Sequence, residues 1–236
     1  MVELVECVYH ATTDGPRRDK SHRAPRTANV RTVVRPARAT PDGFYSLAGY
    51  IAAMTKIVVV DNHGQFTHLE QRALRDMGVD TDLVENDAPP EEIDADGIVL
   101  SGGPDMDDIG RCGEYLEMDV PVLGICLGMQ IMAEELDGSV GGGEYGGYAD
   151  VTVDVLREDD PLTGSLAPET RVWASHADEV KELPDGFKLT GESDVCDVEA
   201  MSDTDRDLYG VQWHPEVAHT AEGEELFENF RQICEA

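Results

Sequence analysis

Lysine is scarce in this chain, and acidic residues greatly outnumber basic ones after residue 54. Residues 1–54 hold 8 of the 18 basic and 5 of the 49 acidic residues, which leaves 10 basic and 44 acidic residues in 55–236. So acidic a surface excludes nucleic acid as a direct partner, because phosphate backbones require a basic patch. Its self-repulsion is screened at about 1 M salt, where the Debye length is roughly 3 Å. We therefore expect a halophilic organism with a salty cytoplasm.

Long apolar runs and paired cysteines are also missing. No apolar stretch approaches the roughly 20 residues that a membrane-spanning helix needs, so we expect no membrane partner. The five cysteines, of which Cys126 is the most informative, are odd in number, scattered and free of any C-x-x-C pair. This pattern argues against a disulfide framework or a metal site and favours a reducing cytosol. We expect a cytoplasmic chain without a bound metal.

The first 54 residues differ in composition from the rest. Arginine and proline alternate there without any sustained periodicity, which is typical of a segment that cannot bury enough apolar surface to order itself. Residues 1–54 are therefore predicted to be a disordered extension. A transit peptide and a mis-assigned start, with translation beginning at Met54, are alternative interpretations. A single folded domain is predicted over residues 55–236.

From Lys56 onward, strand and helix patterns alternate, which predicts βαβ units and a parallel sheet. The fold class is thus α/β, a three-layer open and mostly parallel sheet with helices on both faces. The later strands alternate polar and apolar residues, so they extend the sheet or form a small antiparallel ribbon at its edge. Strands are predicted at 56–61, 80–85, 96–101, 120–126, 150–155, 169–173, 187–191 and 207–213, and helices at 66–77, 108–118, 127–136 and 222–234.

Cys126 follows the apolar run Val120–Ile125 and precedes the helical pattern 127–136. It therefore sits on a sharp strand-to-helix turn, with Gly124 and Gly128 two residues away on either side to relieve the crowding. This is the arrangement of the G-x-S-x-G nucleophile elbow with sulfur in place of oxygen. Backbone N–H groups and the positive dipole end of the helix favour the thiolate. The pattern predicts a nucleophile, and a buried structural cysteine is the alternative.

A cysteine nucleophile needs a base and a group that orients the base. His214 and Glu216 follow the strand pattern 208–213, and the carboxyl ends of parallel strands share one edge of an open sheet. His214 is therefore expected to meet Cys126, while Glu216 fixes the tautomer of its imidazole. Considered alone, this His-Pro-Glu segment is more typical of a surface turn. His63, His68 and His219 are predicted to be surface or turn residues.

Another strand ends in the glycine turn Ser101-Gly102-Gly103-Pro104-Asp105 on the same predicted edge. Its amides, with the N–H of Leu127, could stabilise an oxyanion, and one such donor contributes about 3 kcal/mol. The turn also resembles the start of the pyrophosphate loop of ATP pyrophosphatases. That motif ends in serine where this chain has Met106, so the oxyanion interpretation is favoured.

Three motifs together resemble class I glutamine amidotransferases, in the order and spacing of that family. They are Ser101-Gly102-Gly103-Pro104, Gly124-Ile125-Cys126-Leu127-Gly128-Met129-Gln130 and His214-Pro215-Glu216. The stretches Trp173–Asp178 and Gly210–Thr220 resemble the amidotransferases of GMP synthetase, and Gly143–Ala149 resembles their free-standing archaeal form. The resemblance spans about residues 55–236 and implies a flavodoxin-like fold.

The resemblance also implies the roles of individual residues in glutamine hydrolysis. Cys126 would attack the side-chain amide, Gly103 and Leu127 would form the oxyanion hole, and His214 with Glu216 would complete the triad. The amino-acid end of L-glutamine would be held by Gly102, Gln130, Ser175, His176, Ala177 and Asp178, the last four of them in a turn. Many relatives carry glycine where this chain has Ala177, and we expect only a small effect on binding.

A partner subunit is the last implication of the resemblance. The ammonia would pass to a separate ATP pyrophosphatase subunit that aminates XMP to GMP, in a heterodimer whose ATP and Mg²⁺ belong to that partner. This chain itself is expected to bind no cofactor. Alternatives are an amidotransferase subunit of another synthase, a stand-alone γ-glutamyl cysteine hydrolase, and a non-catalytic regulatory module on the same fold.

Overall fold

A single nine-stranded sheet organises the part of the chain that can be described. The computed structural model describes residues 55–236, except for the side chains of residues 144–149, and the predicted extension over residues 1–54 lies outside the described residues. The strands are β1 (Lys56–Asp61), β2 (Asp80–Glu85), β3 (Gly97–Leu100), β4 (Val122–Ile125), β5 (Ser139–Val155), β6 (Glu169–Glu182), β7 (Lys188–Glu192), β8 (Ala200–Asp203) and β9 (Leu208–Val211). The helices are α1 (Thr67–Asp76), α2 (Cys112–Tyr115), α3 (Leu127–Glu135) and α4 (Gly223–Cys234), with 3₁₀ turns at Pro90–Glu92 and Gly164–Leu166.

Five strands form the parallel half of the sheet, in the order β2-β1-β3-β4-β9. The central strands β3, β4 and β9 are buried along their whole length, which explains their nearly uninterrupted apolar sequences. β2 lies at the edge and is largely exposed, consistent with its alternating charged residues. The carboxyl ends of β4 and β9 are neighbours because Ile125 pairs with Val211.

Helices cover both faces of the parallel half, as the α/β prediction requires. On one face, Leu74 of α1 and Phe227 of α4 join a core cluster with Ile57 and Val59. On the other face, residues of α2 and α3 join a second cluster with Val60. Alternate residues of β1 thus point into different cores, and the three-layer arrangement is confirmed.

The other strands extend the sheet in antiparallel fashion, in the order β9-β8-β7-β5-β6. Of the two interpretations that the sequence left open, extension of the sheet is therefore the correct one. The long β5–β6 hairpin dominates this half, and β8 was not predicted. The predicted helix at 108–118 is shorter in the structure, where α2 covers only Cys112–Tyr115.

The predicted turn at Ser175–Asp178 is wrong, since these residues lie within strand β6. His176 pairs with Gly147 of β5, and Asp178 pairs with Gly142. The predicted strand at 169–173 is thus the first part of β6, and its continuation was missed because the partner segment is rich in glycine and shows no apolar alternation, so the pairing cannot be read from local sequence.

None of the helices in residues 55–236 combines the length and the apolar character needed to cross a membrane.

Candidate active site

Cys126 occupies the tight turn between β4 and α3 that the sequence predicts. Its backbone has φ 52° and ψ −106°, a strained conformation for a residue with a side chain. Its N–H donates to the carbonyl of Val211 at 2.8 Å, which continues the β4–β9 pairing. A Cβ at Gly128 would lie 2.1 Å from the carbonyl oxygen of Leu100, so only glycine fits there. The elbow geometry is therefore confirmed.

His214 and Glu216 lie beyond the end of β9, beside this turn. The Nδ1 atom of His214 is 2.6 Å from Oε1 of Glu216, whose side chain is fully buried. Burial lowers the pKa of His214, but hydrogen bonds with Cys126 and Glu216 outweigh it and raise the pKa to about 10. The imidazolium form is thus favoured beside Cys126 and Glu216, and the three residues predicted as the triad lie together at this edge of the sheet.

Two aromatic rings hold the imidazole of His214. Phe66 packs edge-on against it with ring centroids 5.2 Å apart, and Trp173 lies at 5.7 Å. The N–H of His214 donates to the carbonyl of Trp173 at 3.0 Å, which fixes the backbone as well. Such packing limits the ring to one orientation and excludes water from its faces. Phe66 was predicted only as the first residue of the helix at 66–77, so its contact with the imidazole was missed.

The hydroxyl of Thr220 connects the His-Pro-Glu segment to β6. It donates to the carbonyl of His214 at 2.6 Å and accepts from the N–H of Trp173 at 3.1 Å. Thr220 is buried, so both bonds lie in a region of low dielectric constant. In the sequence analysis, Thr220 was only part of the stretch that resembles known amidotransferases. Its two hydrogen bonds to the backbone of His214 and Trp173 were not predicted.

The glycine turn after β3 packs tightly against the same site. A Cβ at Gly103 would lie 2.3 Å from the carbonyl oxygen of Asn62, and a Cβ at Gly102 would lie 3.1 Å from Cε1 of His214. Within residues 55–236, no hydrogen bond uses the N–H of Gly103 or of Leu127. Ser101 is fully buried and its hydroxyl accepts from the N–H of Asn62 at 2.9 Å, so it is not open to a phosphate. This geometry favours the oxyanion interpretation over the pyrophosphate loop.

Glu70 is a buried carboxyl group near His214 and Glu216 that the sequence analysis did not single out. It is 0% exposed, and its Oε1 accepts from the N–H of Gly102 at 3.4 Å, while its Oε2 has no hydrogen-bond partner. Burial and the nearby charge of Glu216 raise the pKa of Glu70 well above its usual value. The sequence spacing could have revealed that Glu70 is buried. Glu70 stands four residues from both Phe66 and Leu74, so it falls on the apolar face of α1.

The predicted glutamine contacts lie around the thiol. Gln130 is buried, and its Nε2 donates to the carbonyl of Asp178 at 2.7 Å and to Oε1 of Gln212 at 3.2 Å. The Cys126 thiol donates to the carbonyl of Ser175 at 3.8 Å, and Gln212 Nε2 donates to the sulfur at 3.7 Å. Gln130 thus holds β6 beside the thiol of Cys126. Gln212 was not predicted as a site residue, although it directly precedes Trp213 and His214.

His176 and Ala177 complete the predicted set. Nδ1 of His176 lies 3.1 Å from the carbonyl oxygen of Asp178, and burial lowers the pKa of His176. Ala177 is exposed, and so are His63, His68 and His219, as predicted for the three histidines.

Comparison with known proteins agrees with this geometry. The family model for class-I glutamine amidotransferases matches residues 58–233. The glutamine-hydrolysing GMP synthase subunit of Haloarcula marismortui is 78% identical over 182 residues, covering 77% of this chain and 96% of that protein. The protein of the same name from Halobacterium salinarum is 71% identical over 183 residues, covering 77% of this chain and 100% of that protein.

Solved structures lead to the same family. A crystal structure from Thermoplasma acidophilum, provisionally assigned as a GMP synthase subunit, is 41% identical with a TM-score of 0.74, covering 77% of this chain and 94% of that chain. A glutamine amidotransferase from Thermotoga maritima, 20% identical with a TM-score of 0.59, covers 69% of this chain and 76% of that chain and shares the fold. The chain therefore belongs to the class-I glutamine amidotransferase family.

Proposed function

We propose that this chain is the glutamine-hydrolysing subunit of a two-subunit GMP synthase. The observation that carries the proposal is the 78% identity to the Haloarcula marismortui subunit. The aligned residues cover 96% of the length of that subunit. The proximity of Cys126 to His214 and the hydrogen bond between His214 and Glu216 support hydrolysis through a thioester, with these three residues as the catalytic triad.

In the first half-reaction, the thiol of Cys126 gives its proton to His214 and its sulfur bonds to the side-chain amide carbon of glutamine, while the π electrons of the carbonyl move to its oxygen. The N–H groups of Gly103 and Leu127 would hold the oxyanion, and their freedom from other hydrogen bonds within residues 55–236 supports this role. His214 then donates its proton to the amide nitrogen as the carbon–nitrogen bond breaks and ammonia leaves. The raised pKa of His214 supports its part as the acid.

In the second half-reaction, water replaces the sulfur. Neutral His214 takes a proton from the water as its oxygen bonds to the thioester carbon, and the carbon–sulfur bond breaks to give glutamate and the free thiol. Glu216 keeps the imidazole oriented in both steps through its bond to Nδ1. Gly102 and Gln130, with the segment Ser175–Asp178, would bind the amino-acid end of glutamine.

The ammonia is proposed to pass to a separate ATP pyrophosphatase subunit that aminates XMP, with ATP and Mg²⁺ bound by that partner. The naming of the halophilic relatives as subunits supports a two-subunit enzyme. A cytoplasmic location is part of the proposal, and the four free cysteines of residues 55–236 suit a reducing compartment.

The test measures ammonia release and GMP formation with purified partner subunit, XMP and ATP. The partner alone should form GMP from ammonium, and it should use glutamine only when this chain is present. Cys126→Ala should abolish the use of glutamine and leave the use of ammonium unchanged. Cys234→Ala, which removes a thiol on α4, is the matched control and should retain both reactions.

Two results would contradict the proposal. Failure of the complex to use glutamine would exclude the GMP synthase assignment. Full glutaminase activity in the isolated chain, unchanged by partner, XMP and ATP, would instead favour a stand-alone γ-glutamyl hydrolase.

A further inference from the structure

Besides Glu70, two buried glutamates outside the triad each have a carboxylate oxygen that lacks a hydrogen-bond partner. Glu199 is 0% exposed and Glu179 is 5% exposed, and the unpartnered atom is Oε2 in both. An unpaired buried carboxylate is costly, so such atoms point to a bound ion, an ordered water or a shared proton. The Nζ of Lys181 pairs with Oε1 of Glu179, which leaves the two Oε2 atoms unexplained.

A thiol and an imidazole lie beside Glu199. One ligand atom each from His176, Cys196 and Glu199 can be chosen so that all three lie within 4.8 Å of one another. His176 comes from β6, Cys196 from the loop after β7, and Glu199 directly precedes β8. The hydroxyl of Ser193 donates to Oε1 of Glu199 at 2.7 Å, which orients the carboxylate from its outer side.

We propose that His176, Cys196 and Glu199 form a binding site for a divalent transition metal of the zinc type. Imidazole nitrogen, thiolate sulfur and carboxylate oxygen are the three ligand types that Zn²⁺ prefers. Ligands bonded at about 2.0–2.3 Å lie roughly 3.5 Å apart in a tetrahedron, so a contraction of about 1 Å forms the site. Solvent or Glu179 would supply the fourth ligand.

The charges of the cluster favour a cation. Glu179 and Glu199 are both buried carboxyl groups, and Lys181 pairs with Glu179. Metal binding releases the thiol proton to solvent, and the double positive charge of the ion balances the thiolate of Cys196 and the carboxylate of Glu199. His176 is half-buried, which provides a route from solvent.

The proposed site borders the region that would bind glutamine, an aspect that rests on the proposed function. His176 stands between Ser175, whose carbonyl contacts the thiol of Cys126, and Asp178, whose carbonyl binds Gln130. A metal would attach this part of β6 to the loop 193–199. Bound metal is therefore expected to change the KM for glutamine.

The test uses Co²⁺ as a spectroscopic substitute for Zn²⁺ on the full chain in molar KCl. One equivalent of Co²⁺ should give a thiolate-to-cobalt charge-transfer band and tetrahedral visible bands, and Zn²⁺ should displace it. Cys196→Ser should remove the charge-transfer band. Cys234→Ser and Cys126→Ala, which remove thiols outside the cluster, should keep it.

Glu199→Gln provides a second variant of nearly unchanged shape, in case Cys196→Ser does not fold. It should weaken Zn²⁺ binding by more than about tenfold, the scale on which the partners of metal ligands act. A band that is absent, that survives Cys196→Ser, or that disappears in Cys126→Ala would overturn the proposal. The spectra do not depend on glutamine hydrolysis, so failure of this site and failure of the proposed function are separate results.

Discussion

At the scale of single residues, the proton on His214 depends on two partners of different kinds. The thiol of Cys126 and the carboxylate of Glu216 both raise its pKa, and burial opposes them. The folded-state pKa of about 10 lies above the usual 6.5, so the stabilisation from the charged imidazole is complete below about pH 6.5. That stabilisation is lost as the pH rises through about 10.

The pH dependence of turnover should report this proton. We expect kcat for glutamine to fall as the pH rises through about 10, because the departing ammonia needs the imidazolium as acid. Glu216→Gln removes one raising charge, so the decline should move to lower pH and kcat should fall by about 10²–10⁴. Exposed Glu158→Gln is the control, and an unchanged decline in Glu216→Gln would show that the carboxylate does not set the pKa.

Glu70 gives a second residue-scale prediction, on stability. Its folded-state pKa is raised, so the fold binds more protons than the unfolded chain and Glu70 becomes less favourable to the fold as pH increases. Glu70→Gln should therefore raise the free energy of unfolding at pH 7 by about 1 kcal/mol or more. The gain should disappear below about pH 4, where the free carboxyl group is also protonated.

Denaturant unfolding at both pH values measures this effect. Exposed Glu158→Gln should change stability by less than about 0.5 kcal/mol at either pH. A loss of stability in Glu70→Gln at pH 7 would mean that Glu70 is ionised and well compensated in the fold.

At the scale of elements, the elbow requires a close approach between α3 and β3. Gly128→Ala would put a Cβ 2.1 Å from the backbone oxygen of Leu100, which no side-chain rotation can relieve. We expect a loss of about 3 kcal/mol or more in the free energy of unfolding. Gly142→Ala on β5 is the matched control, because its Cβ would meet nothing within 4 Å. Equal stability of the two variants would contradict the tight packing.

Elements defined by local patterns could be predicted from the sequence. β1 and α1 have clear periodicities and occur within one residue of the predicted bounds. β8 was missed because it is only four residues long and is buried throughout, so it shows no polar–apolar alternation, and the second half of β6 was missed because its partner segment is rich in glycine.

The candidate site, too, could be predicted from the sequence only in part. Cys126 and His214 follow adjacent parallel strands, so topology alone brings them to one edge of the sheet. Glu70 could not be assigned in the same way, because only packing shows that a charge on an apolar helix face lies beside Glu216.

At the scale of the whole molecule, the dominant feature is negative charge. Residues 55–236 hold 44 acidic and 10 basic residues, a net of −34. High similarity to proteins of Haloarcula marismortui and Halobacterium salinarum agrees with the expected salty cytoplasm. The melting temperature should rise by at least about 5 °C, or roughly 2 kcal/mol, between 0.1 M and molar KCl.

Sucrose is the control for this measurement, because it strengthens burial without screening charge. It should produce a much smaller increase than KCl. Equal melting temperatures in low and molar KCl would contradict a stabilising role of charge screening.

The positive φ of Cys126 affects which substitutions at this position a family member can tolerate. At φ 52° a Cβ is unfavourable, so glycine would relax the turn at the cost of the nucleophile. Cys126→Gly should unfold at a higher temperature than Cys126→Ala, the reverse of the usual order for these two residues. Mutation at this codon could thus yield an inert protein that folds more readily than its active parent, and only selection for glutamine use would retain the cysteine.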